Sequence, residues 1–146
     1  KGYEKFVWYE KPQKKMHYFR KNLDIPNGTL CTPSLLYVVE RDVLSLYAFC
    51  GDNPDSQLYQ APYFNVSSSY ACLGNSKLPE IEEMTYQNII AYWEKMFWQS
   101  EFSHILGTNP IKSNLALVTK KLIKTGEPFP ESELIPIKLT LKKIIG

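Results

Sequence analysis

Cys72 is the residue of this 146-residue chain best placed to do covalent chemistry. It lies in Ser67-Ser68-Ser69-Tyr70-Ala71-Cys72-Leu73-Gly74-Asn75, a small and polar stretch between a strand-rich half and a helical half. Loops held by a rigid scaffold are where nucleophiles are placed, and small neighbours leave a sulfur open to a bulky partner. The competing reading is a buried thiol acting as a small hydrophobe. That structural role suits Cys31, beside Thr32-Pro33, and Cys50, which ends an apolar run and is expected to be buried and slow to alkylate. A Cys–His pair needs a histidine within reach of the thiol. His104, at an expected helix end, is the candidate, and a plain interaction with the helix dipole explains its position equally well. His17 sits among strand aromatics and lysines and is expected at the surface or a sheet edge.

Other chemistries find less support. Three cysteines are an odd number with no CxxC pair, and only two histidines accompany them, so neither a disulfide scaffold nor a zinc site is indicated. There is no phosphate-binding loop and no paired-carboxylate motif; no metal and no cofactor are expected. Lysines cluster at Lys11, Lys14, Lys15 and Lys21 and again at Lys120, Lys121 and Lys124. Interleaved aromatics could make a single-strand platform. Trp93 and Phe97 instead follow a core stripe, the net charge is only +2, and nucleic acid is not expected as a partner. No run approaches the roughly 18 apolar residues of a membrane span. Asn27-Gly28-Thr29 and Asn65-Val66-Ser67 are glycosylation sequons, but no signal peptide accompanies them. The expectation is a reducing, cytoplasmic setting. Because the chain opens with Lys1-Gly2, it can be a piece of a longer one.

The elements that must position these residues can be read from periodicity. Phe6–Tyr9 and Lys15–Phe19 are short aromatic strands joined by a turn around Pro12, and Ile25-Pro26-Asn27-Gly28 is a turn signal. Leu35–Val39 and Val43–Phe49 flank Glu40-Arg41-Asp42 as an antiparallel hairpin. Leu58–Phe64 is extended, and residues 65–79 are irregular. Helical spacing then runs through Tyr86, Ile89, Ile90, Trp93, Met96, Phe97 and Ile105. It predicts a helix over 86–106, capped by Thr85, ended by Gly107, with Trp93 and Phe97 against the sheet. A second helix runs from about Asn114 to Thr125 and stops at Gly126. The tail over 135–141 reads as either a strand or an extended arm. Without repeats or linkers, residues 1–146 are expected to form one α+β domain, an antiparallel meander followed by helices.

The order of hairpin, Leu58-Tyr59-Gln60-Ala61-Pro62-Tyr63-Phe64-Asn65, Ala71-Cys72-Leu73 and helix resembles ubiquitin-conjugating enzymes. There, a Tyr-Pro segment leads through an asparagine-bearing flap to the catalytic cysteine. The chain more closely resembles the protein B family of the bacterial PRTRC system. Val7-Trp8-Tyr9, Pro26-Asn27-Gly28, Leu46-Tyr47-Ala48-Phe49, Cys72-Leu73-Gly74 and Ile90-Ala91-Tyr92-Trp93-Glu94-Lys95-Met96-Phe97-Trp98 carry the likeness. That family consists of divergent ubiquitin-conjugating-like proteins of plasmids and mobile elements. The resemblance implies a ubiquitin-like protein and a ThiF-type activating enzyme as partners, and a JAB-type metallopeptidase as a genetic neighbour. It makes Cys72 the thioester-forming cysteine and Asn65, seven positions earlier, the oxyanion-stabilising asparagine. Four features depart from the conventional pattern. Tyr63-Phe64 replaces the His-Pro before the asparagine, the spacing from Asn65 to Cys72 is one residue shorter than usual, Gly74 replaces an acidic residue, and no amphipathic N-terminal helix is visible. The implied function is a carrier that accepts a ubiquitin-like protein on Cys72. The other reading is a non-catalytic module that only recruits that partner.

Overall fold

The computed structural model describes residues 5–55, 57–67, 69–73, 85–103 and 109–146. The architecture is α+β, with antiparallel strand pairing dominant and the helices after the main strands. At its centre is the hairpin of β4 (Ser34–Glu40) and β5 (Val43–Phe49), in register from Ser34↔Phe49 to Glu40↔Val43. Arg41 and Asp42 close it with positive φ values of 53° and 61°. Two left-handed residues give a connection twisted to match the flanking strands. The strand β1 (Lys5–Glu10) lies along the other edge of β4, so that Trp8 faces Tyr37. Their rings stack at 5.0 Å and 5°, a cross-strand aromatic pair that favours this register.

The two aromatic strands of the N-terminal segment do not pair with each other. β2 (Lys14–Phe19) leaves for a second sheet, antiparallel to β3 (Gly28–Cys31) and parallel to β9 (Glu101–Phe102). The expected meander therefore survives around β4, β5 and β6 (Leu58–Gln60), whereas β1 and β2 are divided between two sheets. The division follows from burial. Phe19 meets Phe102 and Phe64 edge-on, and those rings become accessible only when β2 sits beside β9.

Helix α1 (Tyr86–Gln99) begins where Thr85 accepts a hydrogen bond from the Asn88 amide at 3.2 Å. It buries Ile89, Trp93, Phe97 and Trp98, in agreement with the expected stripe. It stops at Gln99 instead of running to 106. Ser100 turns extended, its hydroxyl takes the Phe97 carbonyl, and Phe102 enters the core as part of β9. Helix α2 (Leu115–Thr125) is capped by Asn114 and ended by left-handed Gly126, and it packs on β3. The approach is close at Gly28, where a Cβ would lie 2.7 Å from Ile123 Cγ2. Gly28→Ala is expected to lower stability by about 1–2 kcal/mol, because the β-branched Ile123 must move in a packed layer. Thermal denaturation checks this, and Ile123→Val should recover part of the loss.

The tail resolves as an extended arm leading into a helix. Ile137 N–H donates to the Leu58 carbonyl at 3.0 Å and Gln60 N–H to Ile135 at 2.9 Å, after which α3 (Leu141–Ile145) forms behind the Thr140 cap. Ile137, Leu139, Leu141 and Ile144 cover Leu36, Val38, Tyr47 and Phe49 on one face of the main sheet. Leu35, Tyr37, Val39, Leu44 and Leu46 join the α1 core on the other. Two covered faces explain why β4 is apolar without alternation.

Candidate active site

Cys72 follows a small hairpin, β7 (Val66–Ser67) and β8 (Tyr70–Ala71), that extends the main sheet. Within the stretch expected to be irregular, Val66–Ser67 and Tyr70–Ala71 are thus strands, and residues 74–79 lie outside the described residues. Ser69 is left-handed at φ 72°, and its carbonyl accepts from the Leu46 amide at 2.8 Å, tying the turn to β5. Tyr70 pairs with Ser45 of the same strand. The Cys72 backbone is held by its own N–H, which donates to the Asn65 carbonyl at 2.7 Å. Its side chain is exposed, whereas Cys31 and Cys50 are half-buried. The Cys31 thiol approaches the Gly126 carbonyl at 3.7 Å. Cys50 is less enclosed than expected. Burial pushes its thiol up, partly opposed by a hydrogen bond from Tyr59, so it is poorly suited to act as a thiolate at neutral pH.

Asn65 is placed close to Cys72 along the backbone, but its side chain is engaged elsewhere. It is buried, with Nδ2 donating to the Glu101 carbonyl at 2.9 Å and Oδ1 accepting from the Ser103 amide at 3.3 Å. The amide therefore clamps the start of β7 onto the segment around β9. The same burial removes Asn65 from use as a glycosylation acceptor. His104 lies outside the described residues. Among the described residues, no three His, Cys, Asp or Glu side chains gather as a metal site, and no helix is long and apolar enough to cross a membrane.

His17 is buried, contrary to the expectation of a surface position. Its alternating place on β2 turns it toward Phe19, Tyr63, Trp98 and Phe102. Nδ1 is 2.8 Å from the Lys15 carbonyl, which fits an N–H donor there, and Nε2 is left without a partner among the described residues. Burial lowers its pKa to about 4 from 6.5. The unfolded chain then takes up a proton below about pH 6.5 that the folded chain refuses until about pH 4. Stability is expected to be unaffected above that window and to fall by about 3 kcal/mol across it. Urea midpoints at pH 7 and pH 4.5 check this, and His17→Phe should remove the histidine share of the slope.

Near His17 is a polar network not anticipated from the sequence. Tyr37 Oη donates to Glu10 Oε1 at 3.1 Å and accepts from Trp98 Nε1 at 3.0 Å. Lys15 pairs with Glu10 at 3.2 Å, and burial raises the Glu10 carboxyl against that pull. Trp8 Nε1 donates to Glu94 at 2.9 Å. These bonds brace β1, β2 and β4 against α1. The only advance signal was the pair of opposite charges, Glu10 and Lys15, flanking Pro12.

The chain matches the model of prokaryotic E2 family D over residues 1–137. No curated protein and no solved structure matches it. The family match runs through the β4–β5 hairpin, the Cys72 segment and α1, and ends just before the terminal helix. By this match, and with an α+β fold of antiparallel strands followed by helices, the chain belongs to prokaryotic E2 family D.

Proposed function

We propose that the chain is an E2-like carrier that accepts a bacterial ubiquitin-like protein as a thioester on Cys72 and passes it onward. The observation that carries this reading is the contrast between the thiols. Cys72 alone is exposed, on a backbone pinned by the Asn65 carbonyl and the β5-tied hairpin. Transthiolation asks for an accessible sulfur and room for an incoming extended tail, and little else. Membership of an E2 family supports ubiquitin-like proteins and activating enzymes as the general class of partner. A ThiF-type activating enzyme and a place in the PRTRC system, as its protein B, are the finer form of the proposal, and the cytoplasm is the compartment where such a thiol stays reduced.

Asn65 enters the proposal in two ways. Its backbone carbonyl positions Cys72. Its side chain can serve as oxyanion donor only after the clamp on Glu101 and Ser103 opens; otherwise a backbone N–H takes that role. His104 is retained only as the proposed base of a dyad. The engaged Asn65 amide is the observation that favours the second reading, a non-catalytic module that recruits a ubiquitin-like partner. Incubation with a matching activating enzyme, its ubiquitin-like protein and ATP separates the two. A reducing-agent-sensitive adduct supports the carrier, and binding without any adduct supports the module.

A further inference from the structure

A cleft of about 570 Å3 opens on the face of the main sheet that α3 covers, opposite α1. Its floor is two neighbouring rows of cross-strand partners. Lys5, Glu40 and Val43 stand side by side on β1, β4 and β5, and Val38, Ser45 and Tyr70 on β4, β5 and β8. Residues two apart on a strand share a face, so both rows look the same way. Lys143 and Ile144 of α3 close one side. The family match ends at residue 137, so this wall lies beyond the part of the chain that carries the family.

Three cations reach the cleft from three separate elements: Lys5 on β1, Arg41 at the β4–β5 turn and Lys143 on α3. Glu40 is the one carboxylate against them, which leaves a local excess of two positive charges. Lys5 is the most engaged, 3.8 Å from Glu40 and donating to the Ile144 carbonyl, and these contacts hold α3 beside β1. Lys143 forms no ion pair among the described residues. Tyr70, 60% exposed, adds an aromatic surface at the rim. Gathering like charges around one concave space is unfavourable unless an anion sits among them. A phosphate ester carries about −1.5 to −2 at neutral pH and three acceptor oxygens, which matches the excess, whereas a carboxylate compensates half of it. The volume is that of a small-molecule site, roughly 300–1,000 Å3.

We propose that this cleft binds a small phosphate ester, its phosphate among Lys5, Arg41 and Lys143 and its organic part against Tyr70. The site does not depend on the thioester reading. The test is isothermal titration of the full chain at fixed ionic strength with ADP, with glycerol 3-phosphate and with adenosine. A parallel arm is co-sedimentation with phosphatidylcholine vesicles carrying phosphatidic acid. Both soluble esters are expected to bind saturably and adenosine to fail. Lys143→Gln should weaken ADP about fivefold, the upper range of an exposed charge contact. Arg41→Asn should do the same, since asparagine tolerates the left-handed backbone at that turn. Tyr70→Ala should weaken ADP more than glycerol 3-phosphate. Lys142→Gln, on α3 but outside the cleft lining, should change nothing. Vesicle binding that is lost in Lys143→Gln, with the soluble esters inert, assigns the same phosphate site to a lipid headgroup. ADP binding indifferent to Lys143→Gln and Arg41→Asn, or no binding of any phosphate ester at millimolar concentration, overturns the proposal.

Discussion

Replacing Cys72 by Ala is expected to abolish the covalent adduct with a ubiquitin-like protein, while Cys31→Ala and Cys50→Ala keep it. The reason is access as well as chemistry. A thioester needs a sulfur that a folded partner's tail can reach, and of the three thiols only that of Cys72 is exposed. The thiol at Cys50 is also pushed toward its neutral form by burial, which lowers the thiolate fraction that attacks. The measurement is a non-reducing gel and intact mass after incubation with activating enzyme, partner and ATP. The expected gain is the mass of one partner, lost on adding a thiol. An adduct that persists in Cys72→Ala would move the chemistry to another residue. If the activating enzyme charges a different acceptor but never Cys72, the recruiting-module reading replaces the carrier.

Replacing Phe97 by Ala is expected to destabilise the fold by about 3–5 kcal/mol. Phe97 is fully buried, and its ring lies 4.8 Å from Trp98, 5.6 Å from Phe102 and 5.7 Å from Tyr63. Truncation removes the shared partner of three large aromatics that cannot collapse into the space together. Against a total stability of about 5–15 kcal/mol, that loss is a large fraction. It should appear as a urea midpoint lower by roughly 1–3 M with little change in slope. Phe97→Leu should cost distinctly less, since most of the volume is kept. A loss below about 1 kcal/mol would show that α1 does not lean on the sheet through this ring. Tyr63→Phe makes the opposite case, because the Tyr63 hydroxyl has no hydrogen-bond partner among the described residues. Removing it should leave stability unchanged or slightly higher.

The candidate nucleophile, the central hairpin and both longer helices were legible in the sequence because each is a local pattern. Cys72 stood out through its small polar neighbours. β4 and β5 are continuous runs of β-formers around a short turn, and α1 and α2 combine a helical stripe with a capping residue at Thr85 and Asn114. What tertiary structure decided are the relations between distant segments. β1 and β2 look alike as aromatic strands, and only the stacking of Trp8 on Tyr37 and the Phe19–Phe102 contact divide them between two sheets. The end of α1 was misplaced because Ile105 reads as continuing the stripe and Gly107 as ending it, whereas the chain turns extended at Ser100 and buries Phe102 through β9. His17 reads as an edge residue beside its lysines until the rings of Tyr63, Trp98 and Phe102 enclose it. Asn65 shows the limit most clearly. Its spacing from Cys72 is a property of the chain, but the direction of its amide is set by the Glu101 carbonyl and the Ser103 amide, 36 and 38 residues away. Hydrogen-bond demand inside a folded core is satisfied by whatever group the packing brings near, and sequence neighbours carry no record of it.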